Sequence, residues 1–173
     1  MSPAMGAKRF DRKRAAAEAV WSLMAGFSTA QFQRGPHQDV MREHGITPGH
    51  LKALMWLDPE RPLPMRAMAE ALDVDASMVT WLVDRLEEKG LVERRAEPSD
   101  RRVKVIAVTE LGTDTRARLS AAMLRPPQEL LDLDLRSLHA LREQLEKLPS
   151  SSTPVWWSGS DARASDDAEA SAG

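Results

Sequence analysis

A basic stretch over residues 94–109 constrains the fold more than any other feature, because it alternates as two short strands joined by a polar tip. Five of its residues are Arg or Lys and two are acidic, so its net charge is about +3. It follows an amphipathic helical pattern over residues 76–89 that Gly90 closes. Such a helix fits the major groove of a duplex, and a cationic hairpin reaches the neighbouring minor groove. A solvated β-turn with a charged tip is the plainer alternative.

Length and composition predict a folded protein with one domain and attached elements. The 173 residues are 42% hydrophobic, which is enough for a substantial core. No apolar run approaches the ~18 residues of a membrane span, and residues 1–9 lack the apolar region of a secretion signal. The absence of cysteine excludes disulfides, thiolate metal sites and a cysteine nucleophile. We therefore expect a cytoplasmic protein that does not associate with a membrane.

The charge of the chain is unevenly distributed, although the net charge is only −2. Residues 1–14 sum to +4 and residues 150–173 to −3, so the acidic end masks basic segments elsewhere. We expect residues 1–9 to be a flexible N-terminus and residues 150–173 to be a disordered acidic tail. Within that tail, Val155, Trp156 and Trp157 form an apolar cluster that we interpret as a weakly docked segment.

Helical patterns precede and follow the hairpin. Two short helices joined by a tight turn at residues 73–75 are typical of a helix-turn-helix, and Thr47, Asp75 and Thr109 are suited to cap the helices that follow them. The strands of the hairpin are predicted at residues 91–95 and 102–108, with the turn at 98–100. The helical patterns cover, in chain order, residues 10–33, 37–44, 48–57, 65–72, 76–89, 110–124 and 134–148.

Six leucines near the C-terminus recur at spacings close to a heptad repeat. They are Leu131, Leu135, Leu138, Leu141, Leu145 and Leu148. An apolar seam of this kind on a terminal helix needs a partner surface. It either packs inside the monomer or forms a dimer interface.

The order of these segments resembles the MarR family of winged helix-turn-helix regulators, closely over residues 46–112 and in element order over residues 10–148. The residues that carry the resemblance are 46–57, 67–72, 77–80 and 82–92. The family's wing pattern is Asp-x-Arg, five residues, Leu-Thr, two residues and Gly. This chain has Asp100, Arg101 and Arg102, then five residues, Val108 and Thr109, two residues and Gly112, so only Val for Leu departs from it.

The resemblance implies a mainly α-helical fold with a small β-wing. A winged helix-turn-helix over residues 46–112 would be flanked by dimerisation helices over residues 10–45 and 113–149. The resemblance also implies a homodimer, a pseudo-palindromic operator in double-stranded DNA, and control by a small aromatic or phenolic molecule. The function implied is that of a sequence-specific transcriptional regulator, usually a repressor.

Four residues of the helix at 76–89 are candidates for DNA contact. Ser77 and Thr80 lie near its N-terminus, where hydroxyl groups can meet phosphates or base edges. Trp81 stands where many relatives carry an arginine or another polar residue, and it could stack on a sugar, contact a thymine methyl or simply pack. Arg85 could contact a backbone phosphate, although Glu87 and Glu88 oppose this.

The hairpin supplies the remaining candidates. By motif position, Arg102 resembles the family's minor-groove arginine, because a guanidinium suits a narrow groove of enhanced negative potential. Asp100 is expected to brace the tip by pairing with an arginine of the wing. Phosphate contacts, which give affinity and salt sensitivity, are expected from Arg94, Arg95, Arg101 and Lys104.

An effector pocket in this family lies between the dimer helices and the winged domain. The apolar candidates near that region are Trp21, Met24, Phe27, Phe32, Met41 and Trp56. The alternative is that these residues are ordinary core.

Catalytic and metal chemistry find no support in the sequence. His37 and His44 are seven residues apart with no metal-binding motif around them. No phosphate-binding loop, G-x-S-x-G or GxGxxG is present, so we expect no enzyme, metal or cofactor. A winged-helix protein-interaction module without operator binding is the second hypothesis. The low net charge and Trp81 favour it, whereas the wing charge and the Asp-x-Arg pattern favour DNA.

Overall fold

The structure, a computed structural model, describes residues 3–97 and 100–149, with side chains from residue 11 onward. This part of the chain is mainly helical with a small antiparallel sheet, which confirms the predicted fold class. The predicted tail cluster at residues 155–157 and the turn residues 98–99 lie outside the described residues. The elements are α1 (Pro3–Arg34), α2 (His37–His44), α3 (Pro48–Trp56), β1 (Leu63–Pro64), α4 (Met65–Leu72), α5 (Ala76–Glu88), β2 (Val92–Ala96), β3 (Lys104–Val108), α6 (Glu110–Met123), α7 (Gln128–Leu131) and α8 (Leu135–Leu145).

The predicted helix-turn-helix is formed by α4 and α5. Asp73 takes the left-handed conformation at φ 54° and ends α4. Asp75 caps α5, because its carboxylate accepts the N–H of Met78 at 2.8 Å. The two helices pack through buried residues at helical spacing, and this fixes the exposed face of α5. The buried residues are Met68 and Leu72 on α4 and Val79, Leu82, Val83 and Leu86 on α5.

The sheet has the strand order β1-β3-β2. Arg94 of β2 pairs with Ile106 of β3, and Leu63 of β1 pairs with Ile106 from the other side. The sequence predicted only extended chain around Leu63, because a two-residue strand gives no alternation pattern. The strand β3 begins two residues later than predicted. Val103 donates its N–H to the carbonyl of Asp100 at 2.9 Å, so the chain is still turning there.

The helix α6 is fixed at its start to the loop that follows α5. The Thr109 hydroxyl caps α6 by accepting the N–H of Gly112 at 2.9 Å, and it donates to the Gly90 carbonyl at 2.6 Å. Gly112 itself lies against the carbonyl of Leu91. A Cβ at Gly112 would stand only 1.9 Å from that oxygen, so the approach requires glycine.

A second anchor lies one turn further along α6. The guanidinium of Arg116 donates to the carbonyls of Leu54 at 2.6 Å and Met55 at 3.1 Å, and also to that of Leu57. These carbonyls belong to the last turn of α3 and the residue after it, where no intrahelical donor is available. Burial lowers the pKa of Arg116, and the charge of Asp58 opposes that shift. The guanidinium therefore ties the middle of α6 to the end of α3.

Two helices of the described chain leave their apolar side chains uncovered. The helix α1 has 32 residues and begins at Pro3, a residue type suited to a first helical position, whereas the sequence pattern indicated a start near residue 10. It is not apolar enough to cross a membrane, and neither is any other described helix. No residue of α8 is buried, and Leu135 is 68% exposed. The exposed apolar residues of α1 are Val20, Trp21, Leu23, Met24, Phe27 and Phe32.

Candidate nucleic-acid interface

The exposed face of α5 combines two large apolar side chains with small polar ones. Met78 is 44% exposed and Trp81 is 54% exposed, although both are large apolar residues. Ser77 and Thr80 are exposed on the same two turns. The structure therefore brings the predicted residues Ser77, Thr80 and Trp81 onto one surface. Met78 joins them, and the sequence analysis missed it because its spacing also fits the helix core.

Both hydroxyl groups on this face already donate hydrogen bonds within the protein. The Ser77 hydroxyl donates to the carboxylate of Asp75, and the Thr80 hydroxyl donates to the carbonyl of Ala76 at 2.8 Å. The Ser77 hydroxyl and the N–H of Met78 together lower the pKa of Asp75. Because these hydrogens are in use, the two side chains present only acceptor lone pairs to a ligand.

Trp81 rests on a buried histidine. Its ring centroid lies 4.8 Å from that of His50 of α3, with 39° between the ring planes. His50 is only 2% exposed, and its Nδ1 accepts the N–H of Thr47 at 3.1 Å. Burial lowers the pKa of His50, and the positive charge of Arg85 lowers it further. A neutral imidazole therefore supports the indole from beneath.

The capping role of His50 was not predicted, although the sequence contains a signal for it. Thr47 precedes Pro48 as a helix cap, and His50 stands at the third helical position, where a capping-box side chain reaches back to the cap N–H. The other ring nitrogen, Nε2, is buried and has no hydrogen-bond partner among the described residues.

Two of the predicted phosphate contacts form ion pairs with carboxylates of α5. The guanidinium of Arg85 pairs with Glu88 at 2.7 Å. That of Arg94 bridges Asp84 and Glu87 of α5, and the backbone N–H of Arg94 donates to Glu87 at 3.0 Å. The side chain of Arg94 is only 25% exposed. The structure therefore places Arg94 as a link between α5 and the wing.

The tip of the wing presents three cationic side chains. Arg101, Arg102 and Lys104 are exposed, and none of them forms an ion pair with a carboxylate of residues 11–97 or 100–149. Arg95 is also exposed but pairs with Glu93 on its own strand. The cationic tip is thus available to a polyanion, whereas the base of the wing is neutralised.

Asp100 braces the tip differently from the prediction. Its carboxylate accepts the backbone N–H of Arg102 at 3.0 Å, and it forms no ion pair with an arginine of the described wing residues. An aspartate side chain commonly accepts a backbone N–H two residues ahead, and this closes a tight turn. The expected Asp–Arg pair does not form among the described residues, where the guanidinium of Arg102 has no carboxylate partner.

Two cavities lie near the predicted effector region and share Phe32 and Met123. One has a volume of about 530 Å³ and includes Phe27 and Arg125 in its lining. The other has a volume of about 520 Å³ and includes Trp56. The rest of its lining is Pro48, Leu51, Lys52, Met55 and Ala71. The indole Nε1 of Trp56 is buried without a hydrogen-bond partner in the part of the chain that the structure describes.

The other effector candidates do not line these cavities. Trp21 and Met24 lie on the exposed face of α1, and Met41 is buried in the core cluster beneath α2. Three of the six predicted pocket residues therefore line a cavity. Phe27 lines the first, Trp56 lines the second and Phe32 lines both. His37 Nε2 lies 2.8 Å from the carbonyl of Phe32. Among the described residues, no three His, Asp or Glu side chains are placed to hold a metal ion.

Residues 46–104 match the sequence model of the MarR family. A protein of Thauera aromatica, described as a putative transcriptional regulatory protein for the hcr operon, is 32% identical over 150 residues. That alignment covers 80% of this chain and 90% of the relative.

Solved structures show the same fold. The YusO protein of Bacillus subtilis superimposes with a TM-score of 0.54 at 25% identity, over 79% of this chain and 98% of that chain. A MepR mutant of S. aureus bound to an oligodeoxyribonucleotide gives a TM-score of 0.61 at 19% identity, over 76% of this chain and 94% of that one. Because residues 46–104 match the family's sequence model and the Thauera aromatica regulator aligns over most of both chains, this chain belongs to the MarR family of winged-helix transcriptional regulators.

Proposed function

We propose that this protein is a DNA-binding repressor that binds a pseudo-palindromic operator as a homodimer and acts in the cytoplasm. The observation that carries the proposal is the wing tip, where Arg101, Arg102 and Lys104 are exposed and have no carboxylate partner among the described residues. The wing stands beside a helix whose outer face is exposed over its first two turns. A helix and an adjacent cationic strand pair fit two neighbouring grooves of one duplex.

The wing would supply most of the affinity and the helix most of the sequence choice. Cationic side chains at phosphates release counterions, and binding then weakens steeply as salt rises. Arg102 is suited to the minor groove, because Asp100 holds its backbone in the turn and no carboxylate of the described residues pairs with its guanidinium. The contacts of α5 with base edges in the major groove would set the sequence preference.

The uncovered helices support a homodimer. The helix α1 spans about 48 Å and carries exposed large apolar residues between Val20 and Phe32. Leu135, Leu141 and Leu145 of α8 are exposed as well and Leu138 is half-buried, so most of the heptad-like seam is uncovered within the described chain. Burial of these faces against a second copy removes apolar surface from water. A two-fold dimer presents two winged units to half-sites about 34 Å apart, the repeat of the DNA helix.

We also propose a small aromatic carboxylate or phenolate as effector, in the cavity lined by Lys52 and Trp56. The cavity is mainly apolar, and Trp56 forms part of its wall. Lys52 adds a positive charge for the acidic group. Hydroxybenzoates at increasing concentration should release DNA from the wild-type protein, and Lys52→Ala should raise the concentration needed. The exposed Lys147→Ala serves as the control. An unchanged response of Lys52→Ala would contradict this site.

Fluorescence anisotropy with duplex DNA tests the proposed function. The probe is a 30-bp duplex that the wild-type protein selects from a random-sequence pool, titrated between 50 and 200 mM salt. We expect Arg102→Ala to weaken binding. The negative slope of log K against log salt should become shallower by about 2, for the loss of one contact in each subunit. Arg42→Ala is the matched control, because Arg42 is exposed on α2 and pairs with Asp39 at 2.7 Å. A folded dimer that binds no duplex at 50 mM salt would favour the protein-interaction module.

A further inference from the structure

We infer that α5 selects A·T base pairs by apolar contact of Trp81 and Met78 with the 5-methyl groups of thymine. The inference rests on the proposed function, because it names what the recognition surface reads once DNA is bound. Its basis is the chemistry that remains free on the exposed face of α5. The side chains on that face are apolar, are paired with another charged side chain, or, for Ser77 and Thr80, have only acceptor lone pairs left to offer.

Trp81 and Met78 form the apolar part of this face. They are three residues apart, so their side chains are neighbours on the helix surface. They are 54% and 44% exposed, and no described element covers them. In the major groove, the thymine methyl is the apolar group that the four base pairs present, and apolar side chains recognise it by contact.

The polar groups on the same face leave little capacity for reading guanine. A guanine is read most often by an arginine or lysine that donates two hydrogen bonds, and Arg85 is the one cationic residue in the sequence of α5. Arg85 is paired with Glu88 at 2.7 Å, and it lies on the third turn, away from the N-terminal turns that approach bases. Asp84, which could accept from a cytosine amino group, is paired with Arg94.

The support beneath Trp81 makes it suited to specific contact. The indole packs against the imidazole of His50, with the ring centroids 4.8 Å apart and the ring planes tilted by 39°. His50 is in turn fixed by the N–H of Thr47. A side chain that is held in place before binding loses less conformational entropy when it meets DNA. Trp81 is therefore a preorganised contact, whereas Met78 can adapt to the groove because its side chain is flexible.

The experiment replaces thymine by uracil in the duplex that the wild-type protein selects. Deoxyuridine retains the hydrogen-bonding edge of thymidine and lacks only the 5-methyl group. For the wild-type dimer we expect affinity to fall about fourfold per contacted methyl, and about 15-fold when one methyl is removed from each half-site. Uracil at a thymine outside the half-sites is the DNA control and should leave affinity unchanged.

Protein variants then locate the contact. Trp81→Ala should bind the thymine and uracil duplexes with nearly equal affinity. Met78→Ala should reduce the difference in affinity between the two duplexes without disturbing the contact of Trp81 with His50. Arg102→Ala should weaken binding to both duplexes by the same factor. The ratio of its affinities for the thymine and uracil duplexes should therefore equal that of the wild-type protein. Circular dichroism verifies that each variant is folded.

The outcomes separate the inference from the proposed function. Selected half-sites without thymine, or a wild-type ratio that persists in both Trp81→Ala and Met78→Ala, would overturn methyl recognition while leaving DNA binding intact. Failure of the wild-type protein to select any duplex would instead overturn the proposed function, and the inference with it. A ratio that disappears in Trp81→Ala and persists in Arg102→Ala supports the assignment.

Discussion

Replacement of Arg94 by alanine distinguishes a structural link from a phosphate contact. The guanidinium bridges Asp84 and Glu87 of α5 and is 25% exposed, while the two carboxylate side chains are 53% and 38% exposed. Its removal would leave two neighbouring carboxylates on α5 without their shared cation. A hydrogen bond to a charged group contributes about 1.5–3 kcal/mol, and an exposed ion pair about 0–1 kcal/mol. For this partly exposed pair of contacts we expect a loss of about 1–2 kcal/mol in the free energy of unfolding.

The assay combines urea denaturation with DNA titration. Unfolding is measured at one fixed protein concentration, because the stability of a dimer depends on concentration. In the titration, Lys104→Ala should make the negative slope of log K against log salt shallower by about 2 for the dimer, since Lys104 is expected to contact phosphate. Arg94→Ala should change that slope by less than half as much, even where the affinity itself falls.

The reasoning would be refuted by the opposite pair of results. If Arg94→Ala lowered the salt slope as much as Lys104→Ala and left the free energy of unfolding within about 0.5 kcal/mol of wild type, then Arg94 would contact phosphate and the link to α5 would be of no consequence. Asp84→Asn provides a check from the other side, because it should reduce stability through the same contact without removing any cation.

Three further predictions concern the scaffold. Arg116→Ala should lower the free energy of unfolding by about 2–4 kcal/mol, because three carbonyls at the end of α3 lose their donor; the exposed Arg118→Ala should have little effect in the same urea series. Gly112→Ala should yield no folded protein by circular dichroism, because its Cβ would overlap the Leu91 carbonyl, whereas Gly26→Ala, with nothing within 4 Å, should fold. His50→Gln should flatten the pH dependence of stability. The pKa of His50 is lowered from 6.5 in the folded state, so its contribution is present above pH 6.5 and is lost as pH falls through the lowered value.

Each scaffold prediction has an outcome that would contradict it. Equal effects of Arg116→Ala and Arg118→Ala would mean that the half-buried guanidinium of Arg116 does not hold α3 and α6 together. A folded Gly112→Ala would mean that the loop carrying Leu91 can yield. A pH profile of His50→Gln as steep as that of the wild-type protein below pH 6.5 would assign the titration to another group.

Local patterns in the sequence predicted the elements that local interactions determine. The left-handed Asp73 and the capping Asp75 define the turn between α4 and α5 within three residues. Thr109 caps α6 from the adjacent position. These features depend on residue type and spacing alone, so one chain without relatives is sufficient to identify them.

Contacts between distant segments could not be predicted in the same way. Arg94 has the residue type of a phosphate contact, and only the packing of β2 against α5 shows that Asp84 and Glu87 engage it. The donors of Arg116 reach carbonyls about sixty residues earlier, and no periodicity reports such a contact. Met41, which lies in the core, was a candidate for the pocket with ordinary core as the alternative, because an apolar side chain at that position fits a cavity wall and a core equally well.

The two attachments of α6 have a mechanical consequence for operator choice. Gly112 packs against Leu91, and Arg116 binds the carbonyls at the end of α3. We therefore expect α6 and the winged unit to move together as one rigid body. In the proposed homodimer, we expect the separation between the two winged units to be adjusted at residues 35–36, between α1 and α2, and at residues 126–127, between α6 and α7. Each of these two segments contains proline, which has a restricted backbone angle and no N–H. We therefore expect substitutions at these four residues to change the range of half-site separations that the proposed dimer accepts.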